Sequence, residues 1–371
     1  MRVPFYDIKA QYDELHPQLD AAVHEVLSSG AYVMGKNHKA FEEDIAALHK
    51  VKHGIACNSG TDALRMMLDA AGIGAGDEVI TTAFTFVASA EVIAQTGASP
   101  VFVDIVPHTY NIDPDKIEAA VTTRTKAIMP IHLFGQLCEM EPIMEIARRH
   151  NLIVLEDAAQ ALGSERNGKP AGNWGQSAGI SFYVTKNLGA AGDGGLILTN
   201  NDEVAEKARS MRVHGMGRER YYYDHIGYTS RMHEIQAAVL HTKLQRLTAW
   251  NARRNEIANL YATLLQGSEI SLPITSGGNN NTWHQFSIRH SRRDDLQAFL
   301  KGQEVDSMIY YPVALHHHTP YKRFSPAWPL EETERATKEI LNLPIHPHLA
   351  DDQVRYVCAS IMEFQHAQAL A

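Results

Sequence analysis

Residues 54–72 read GIACNSGTDALRMMLDAAG, and here the pattern changes from that of a short strand to that of a helix. The alternation continues along the chain, with further strand candidates in EVITTAF, PVFVDIV, KAIMPIHLFG, LIVLED, GISFYV and GGLILTN. Strands that alternate with helices indicate βαβ units, whose parallel strands are covered by helices. The sequence therefore predicts an α/β fold with a mostly parallel central sheet and helices on both faces.

The alternating pattern ends near Ser230. From there a long amphipathic stretch without glycine or proline predicts one long helix or a helix pair. Beyond it, TWHQFSIRH, VDSMIYYPVAL and ETERATKEILNL predict a smaller α+β unit. Because 371 residues exceed what one compact domain usually holds, we expect two domains, residues 1–249 with the N-terminal segment and residues 250–371.

The composition excludes several classes of protein. A net charge of −9 provides no general attraction to nucleic acid or to an anionic membrane. No apolar run approaches the roughly 18–20 residues of a membrane helix, and the charged N-terminus lacks the apolar core of a signal peptide. The three cysteines are odd in number and far apart, which argues against a disulfide framework. We therefore expect a cytoplasmic protein that binds neither nucleic acid nor membrane.

The turn after the first strand carries Ser59, Gly60 and Thr61 in front of a predicted helix. Two interpretations are open. Serine and threonine are common N-caps, which gives the turn a purely local role. The unpaired N–H groups of a helix N-terminus also bind phosphate, and the glycine lets the backbone approach such a ligand closely. In parallel sheets ligands bind at the carboxyl ends of the strands, where this turn lies.

A second strand end carries Glu156 and Asp157, in LIVLEDAAQALG at residues 152–163. One interpretation is an N-cap for a following AAQAL helix. The other is a carboxylate that projects into the crevice at the edge of the sheet. There it would hold a pyridinium nitrogen in its protonated form, because an opposite charge favours the charged state.

A third strand end, SFYVTKNLGAAGDGG at residues 181–195, places Lys186 before a run of glycines. A lysine at an exposed strand end is ordinary. However, a lysine amine also forms Schiff bases with pyridoxal 5′-phosphate (PLP). That cofactor needs an amine, a carboxylate at the ring nitrogen, a phosphate cradle and a flat contact with the ring. The strand ends provide all four kinds of group, which are Lys186, Asp157, the set Gly60, Thr61 and Ser181, and Phe86.

In the order of these motifs the chain resembles the PLP-dependent sugar aminotransferases of the DegT/DnrJ/EryC1/StrS group, which have fold type I. The motifs that carry the resemblance are VPFYDIKAQY, NSGTDAL, TTAFTFVAS, IHLFGQ, LEDAAQ, SFYVTKNLGAAGDGG, GYTSRMHEIQAA, YYPVALH and LNLPIHPHL. The resemblance implies that Lys186 binds PLP, that Asp157 pairs with its ring nitrogen and that Gln160 lies near its hydroxyl. It also implies phosphate contacts from Gly60, Thr61 and Ser181, stacking by Phe86, and a homodimer with shared active sites.

The chain departs from the family at the position of Thr229, where an asparagine that reaches the neighbouring subunit's cofactor phosphate is common. Thr229 still donates a hydrogen bond but has less reach, so this contact is in question. His233 replaces a frequent aspartate. A related branch that carries out a dehydration has histidine at the lysine position. This chain keeps Lys186, which favours transamination.

The resemblance implies transfer of an amino group from L-glutamate to a nucleotide-linked keto sugar, in a ping-pong reaction through pyridoxamine phosphate. The DAAQ motif with Gln160 favours a 3-keto-6-deoxyhexose, and a 4-keto sugar is the alternative. Tyr183 and His316 are candidate sugar contacts. Arg231 meets either a glutamate carboxylate or a substrate phosphate, unless it forms an ordinary salt bridge at a helix N-terminus.

Other chemistries are less well supported by the sequence. The runs HHH at 316–318 and HPH at 346–348 lack a cysteine or acidic ligand at a familiar spacing, so we expect no metal site. Another PLP-dependent reaction on an amino acid, such as desulfuration, would need a cysteine on a mobile loop, and no cysteine looks so placed. A non-catalytic regulator with the same fold would have no chemical need for Lys186 and Asp157.

Overall fold

The computed structural model describes residues 1–369, with side chains up to residue 366. Its main element is a seven-stranded sheet with the strand order β1-β9-β8-β5-β4-β2-β3. The strands of this sheet are β1 (His53–Cys57), β2 (Glu78–Thr82), β3 (Ser99–Val103), β4 (Thr125–Ile128), β5 (Ile153–Asp157), β8 (Ser177–Ser181) and β9 (Gly195–Thr199). All neighbouring pairs from β3 to β8 are parallel, and β9 runs antiparallel to both β8 and β1. The predicted α/β fold with a mostly parallel sheet is thus confirmed.

The smaller strands form two separate sheets. These strands are β6 (Glu165–Arg166), β7 (Lys169–Pro170), β10 (Asn279–Asn280), β11 (Phe286–Arg289) and β12 (Ile340–Leu343). The first three make a three-stranded sheet with the order β10-β6-β7, and the last two pair antiparallel with each other. The polar, glycine-containing segment at residues 276–281 provides the edge strand β10.

The helices cover the sheets and are amphipathic where they lie on a face. They are α1 (Ile8–Ser29), α2 (Lys36–Leu48), α3 (Gly60–Ala70), α4 (Ala88–Gln95), α5 (Pro114–Ile117), α6 (Met140–His150), α7 (Asp202–Met211), α8 (Glu234–Leu244), α9 (Leu247–Leu264), α10 (Arg293–Gly302), α11 (Glu331–Glu339) and α12 (Asp351–Ala369). The stretch after Ser230 is the helix pair α8 and α9. None of the helices within the described residues has the length and apolar composition to cross a membrane.

The core of the central sheet is apolar on both faces, as expected for strands that helices cover from two sides. All five residues of β2 and of β9 are buried. On one face α3 and α7 pack against the strands in one apolar cluster. Further clusters that contain residues of α2, α6 and α8 fill the rest. The sheet is therefore a rigid platform whose strand ends hold the loops in place.

A separate apolar core surrounds β11 and β12 and includes residues of α9, α10 and α12. Val3 from the N-terminal segment belongs to this core and forms a β-bridge with Val305. The boundary that we expected between residues 249 and 250 lies inside α9. The division of the chain into two domains at this position stays a prediction.

The helix that we considered after β5 does not form, because residues 158–164 run through turns. Asp157 accepts a hydrogen bond through Oδ1 from the backbone N–H of Ala159, two residues on, at 3.1 Å. Such a local side-chain bond offers the backbone an alternative to the helix. The interpretation of Glu156 or Asp157 as an N-cap is therefore wrong.

Candidate active site

The carboxyl ends of the parallel strands enclose a cavity of about 490 Å³. Its wall contains most of the residues that the sequence predicts for the site, namely Gly60, Thr61, Phe86, Asp157, Gln160, Ser181, Tyr183 and Lys186. Asp157 and Ser181 are the last residues of β5 and β8, and Gly60 begins the helix that follows β1. Residues that are distant in sequence thus converge because their strands end at one edge of the sheet.

Lys186 lies five residues beyond the end of β8, in a turn where its backbone N–H donates to the carbonyl of Tyr183 at 2.8 Å. Burial lowers the pKa of the Lys186 ammonium to about 8, and the nearby Asp157 carboxylate opposes this shift. An amine with such a pKa is unprotonated in roughly one molecule in ten at pH 7. Lys186 is therefore a far better nucleophile than an ordinary surface lysine.

Asp157 is buried, and its two carboxyl oxygens are held by different donors. Oδ2 accepts from the Ser89 hydroxyl at 2.7 Å, and Oδ1 accepts from the N–H of Ala159. Burial raises the pKa of Asp157, while both hydrogen bonds and the charge of Lys186 act in the opposite direction. A cation beside this carboxyl group would favour its ionised form. The site is suited to a positively charged ring nitrogen.

The start of α3 presents free backbone donors to the cavity. The Ser59 hydroxyl caps the helix by accepting from the N–H of Asp62 at 3.1 Å, so the predicted N-cap exists. No described residue accepts a hydrogen bond from the N–H groups of Gly60 or Thr61, which agrees with the general lack of partners in a first helical turn. The two interpretations of this turn are compatible, because the cap and the free donors belong to different residues.

Two glycines allow the backbone to pack closely around this turn. A Cβ atom at Gly60 would lie 2.7 Å from the Cβ of Ser181, which real side chains do not tolerate. A Cβ atom at Gly195 would overlap the carbonyl oxygen of Ser59. Gly60 and Gly195 therefore let β8, β9 and the turn before α3 approach closely, which explains the glycine at the end of the lysine segment.

Aromatic and amide side chains form another part of the cavity wall. The Phe86 ring is 56% exposed and lies 6.5 Å from the Tyr311 ring, measured between centroids. Gln160 accepts from the N–H of Phe134 at 2.9 Å and donates to the Tyr311 hydroxyl at 3.3 Å. Tyr183 is also exposed at the cavity. Phe86 thus has a free face on the side of the cavity.

Sequence reasoning missed several residues of this wall, above all Ser89, His284, Tyr6, Tyr310 and Tyr311. The Tyr6 and Tyr310 hydroxyls lie 3.1 Å apart although 304 positions separate them in the chain. Burial first, and then the charge of Lys186, lower the pKa of His284 well below its usual value, so its imidazole is neutral. Tyr6 lies in the motif VPFYDIKAQY, and Tyr310 and Tyr311 lie in YYPVALH. These motifs were the sequence signal that could have identified the three tyrosines.

Three residues that the sequence predicts for the site do not line this cavity. Thr229 is exposed and contacts His214, with 3.1 Å between Oγ1 and Nε2. Arg231 is half-buried, and among residues 1–369 no carboxylate lies within salt-bridge distance of it. His316 is buried beside Glu334, with 3.0 Å between Nε2 and Oε1. The salt bridge that we considered for Arg231 does not form in the described part of the chain.

Comparison with known proteins gives relatives along almost the entire chain. A "Pleiotropic regulatory protein" of Geobacillus stearothermophilus is 49% identical over 98% of this chain and 99% of its own length. A dTDP-3-amino-3,4,6-trideoxy-alpha-D-glucose transaminase of Streptomyces venezuelae is 40% identical over 98% and 96%. A UDP-N-acetyl-3-dehydro-alpha-D-glucosamine 3-aminotransferase of Acidithiobacillus ferrooxidans is 38% identical over 98% of each chain.

The fold also matches that of a solved enzyme. The crystal structure of Streptomyces venezuelae DesV, in complex with a ketimine intermediate, superposes with a TM-score of 0.95. It shares 40% sequence identity over 98% of both chains. The model of the DegT/DnrJ/EryC1/StrS aminotransferase family matches residues 13–362. The chain therefore belongs to the DegT/DnrJ/EryC1/StrS aminotransferase family.

Proposed function

We propose that this protein is a PLP-dependent transaminase that moves an amino group from L-glutamate to a nucleotide-linked keto sugar. The sugar is a 3-keto-6-deoxyhexose, and the two half-reactions alternate in a ping-pong order. The observation that carries the proposal is the convergence of Lys186, with a pKa of about 8, and the buried Asp157 in one cavity.

The residues of the cavity fit PLP. Lys186 provides the amine for the Schiff base, and Asp157 faces the position of the ring nitrogen. The free N–H groups of Gly60 and Thr61, together with the Ser181 hydroxyl, suit the phosphate. The space is tight enough that a Cβ atom at Gly60 would fill part of the cradle. When bound, PLP accepts the amino group and stabilises negative charge on the carbon from which a proton is removed.

The side chains then have distinct tasks. Asp157 keeps the ring nitrogen protonated, because its carboxylate is held by Ser89 and Ala159. The Nζ atom of Lys186 would act as the base that takes the proton from the α-carbon of the amino donor, and its protonated form would then be the acid that returns this proton. Gln160 would bind the cofactor hydroxyl, and the Phe86 ring would stack on the cofactor ring, since both side chains line the cavity.

The choice of the 3-keto sugar rests on two supports. The Streptomyces and Acidithiobacillus relatives carry names that place the nitrogen at carbon 3 of a nucleotide sugar. Gln160, in the DAAQ motif, points in the same direction. Tyr183 at the cavity is a sugar contact in this proposal and Arg231 is a further substrate-binding candidate, whereas His316 lies outside the cavity beside Glu334.

A homodimer in the cytoplasm is part of the proposal. Thr229 and Arg231 lie outside the Lys186 cavity of their own chain, which suits a role at the site of a second copy. The segment before them exposes large apolar side chains, with Ile226 exposed to 96%. Exposed apolar clusters of this kind mark interaction surfaces.

The name of the Geobacillus relative suggests a regulatory role as a second function. It does not explain the cavity, because burying a lysine and an aspartate costs folding free energy, and a regulatory role by itself gives no reason to bear that cost. Catalysis therefore remains the function that the geometry supports best, with or without an additional regulatory role.

Incubation of the purified protein with PLP, L-glutamate and a panel of dTDP- and UDP-linked 3-keto and 4-keto sugars tests the proposal. Mass spectrometry would detect the amino sugar. We expect product from a 3-keto sugar, and loss of product by at least about 10³-fold in Lys186→Ala, since the proton-transferring amine is removed. Product from a 4-keto sugar alone would refute the position of amination, and near-normal turnover by Lys186→Ala would refute the role of the lysine. Lys243 is a matched control, because it is also buried but donates to the carbonyl of Gly189, so Lys243→Met should keep turnover.

A further inference from the structure

A second group of side chains with chemical potential lies outside the Lys186 cavity, where residues 315–317 meet α11. His316 and His317 both approach Glu334, with their Nε2 atoms 3.0 and 2.6 Å from the same carboxylate oxygen. The two imidazole rings lie 4.1 Å apart, measured between centroids. The sequence alone showed no acidic partner for these histidines, because Glu334 follows seventeen positions later and is brought in by a helix.

We propose that His316, His317 and Glu334 bind a divalent transition-metal ion such as Zn²⁺. Two imidazole nitrogens and one carboxylate oxygen form a donor set that is well known for this ion, and a fourth position would remain for water. Imidazole ligands favour zinc and its neighbours in the first transition row over magnesium or calcium. Among the described residues this is the group whose histidine, cysteine and carboxylate atoms cluster closely enough to hold an ion.

The distances suit such an ion after a small adjustment. One donor atom from each residue lies within 4.8 Å of the others. Ligand atoms of a tetrahedral zinc ion lie about 3.3 Å apart, given metal–ligand bonds of about 2.0–2.1 Å. The two nitrogens therefore need to move away from the carboxylate oxygen by less than about 1 Å, which a change in side-chain torsions provides.

Contacts with other parts of the fold fix the positions of the three proposed ligands. The backbone N–H of Leu315, next to His316, donates to the carbonyl of Ala83 at 2.9 Å. The His316 ring packs near Phe102, with 6.5 Å between centroids. Glu334 lies in the first turn of α11. Because the segment and the helix are anchored separately, the three ligands are partly preorganised before any ion arrives.

The surroundings leave room for the ion and its water. A cavity of about 510 Å³ opens beside His316 and Glu334 and is also lined by Glu331, Arg335 and Lys338. Arg335 is engaged with Glu332 at 2.7 Å, which reduces its repulsion of a cation. The negative charges of the Glu331 and Glu334 carboxylates offset the positive charge of Lys338.

The surroundings of the second ring nitrogen of His316 determine how tightly the site should bind zinc. Metal-bound histidines usually donate their second ring N–H to an acceptor, which orients the ring. The Nδ1 atom of His316 is buried and has no partner among the described residues. We therefore expect weaker binding than at a structural zinc site, with a dissociation constant in the micromolar range.

Zinc binding by the holoenzyme tests the proposal. The protein is freed of metal with a chelator and titrated with Zn²⁺ by calorimetry, and the bound zinc is counted after equilibrium dialysis. We expect one ion per chain in the wild type and a loss of affinity of about tenfold or more in His317→Ala. Glu334→Gln, which keeps the shape of the side chain, should show the same loss.

His150→Ala is the matched control, because His150 is also paired with a glutamate, Glu118, at 2.9 Å but has no second histidine beside it. It should bind zinc as the wild type does. The proposal is overturned if the wild type binds no zinc at micromolar concentrations. It is equally overturned if His317→Ala and Glu334→Gln keep the stoichiometry and affinity of the wild type.

Discussion

Lys186 is a basic side chain whose position inside a cavity changes its chemistry. Burial lowers its pKa to about 8, while Asp157 limits the shift. The sequence was sufficient to predict the pair, because both residues follow strands of one parallel sheet. It was not sufficient to predict the role of Ser89, which ends the TTAFTFVAS motif, because no local pattern shows that its hydroxyl reaches Asp157.

The first prediction concerns the pH dependence of cofactor binding by Lys186. Only the unprotonated amine attacks an aldehyde, so the rate at which apoenzyme combines with PLP should rise about tenfold per pH unit below pH 8. The rate should level off above that pH, because the amine is then already unprotonated. Stopped-flow absorbance between pH 6 and 10 measures this profile. A rate that continues to rise toward pH 10 would indicate a lysine with its ordinary pKa of 10.5.

A prediction about Gly195 tests the close packing behind the cavity. Gly195→Ala should weaken PLP binding by about tenfold or more, because the added Cβ overlaps the Ser59 carbonyl and displaces the turn before α3. Gly302→Ala is the control, since nothing lies within 4 Å of a Cβ at that position. Fluorescence titration of the apoenzymes with PLP gives both affinities. Equal affinity in Gly195→Ala and wild type would contradict the account of the turn.

At the scale of the element, strand β5 ends in two neighbouring carboxylates that have different surroundings and different functions. Asp157 faces the cavity, whereas Glu156 accepts four hydrogen bonds, from His132 Nε2 and from the N–H groups of Gly172, Trp174 and Gly175. The sequence predicted that strand β5 ends here and that Asp157 serves the site, but it gave Glu156 no role of its own. The partners of Glu156 come from other segments, so only the tertiary structure distinguishes the two residues.

Glu156 should make the stability of the fold depend on pH. Burial opposes its ionisation, yet the hydrogen bonds from His132, Gly175 and Gly172 hold its pKa below the ordinary 4.5. A lowered pKa contributes stability that is complete above pH 4.5 and is lost as the pH falls below the folded-state pKa. Glu156→Gln should therefore lower the free energy of unfolding by about 2 kcal/mol at pH 7.

Denaturant unfolding of the wild type and of Glu156→Gln between pH 3 and 7 checks this dependence. The difference between the two proteins should shrink as the pH falls below 4.5, because the wild-type carboxylate then becomes protonated on passing its lowered pKa. A difference that stays constant over this range would mean that the charge of Glu156 contributes nothing to the fold.

At the scale of the whole molecule, the site combines residues from distant parts of the chain. The sheet and its strand ends follow from local patterns, and these patterns, together with the family resemblance, predicted eight residues of the cavity wall. Tyr6, His284, Tyr310 and Tyr311 reach the same cavity from the N-terminal segment and the C-terminal part of the chain. Their approach depends on how these segments pack on the sheet, which no local pattern encodes.

Hybrid dimers test whether Arg231 serves the site of a second copy. Lys186→Ala and Arg231→Ala should each lower turnover strongly as homodimers. After refolding of an equal mixture, half of the dimers carry one intact site, so about a quarter of the wild-type activity should return. No recovery in a preparation that contains mixed dimers would place Arg231 at the site of its own chain, and an active Arg231→Ala homodimer would place it outside the chemistry.

The central claim is that Lys186 and Asp157 bind PLP and that L-glutamate donates the amino group. The most direct test is the absorption spectrum of the purified, PLP-loaded protein before and after addition of L-glutamate, with no sugar present. The account predicts a visible band of bound PLP that converts to the band of pyridoxamine phosphate, with release of one 2-oxoglutarate per site. A protein that takes up no PLP, or whose band does not respond to L-glutamate, would contradict it.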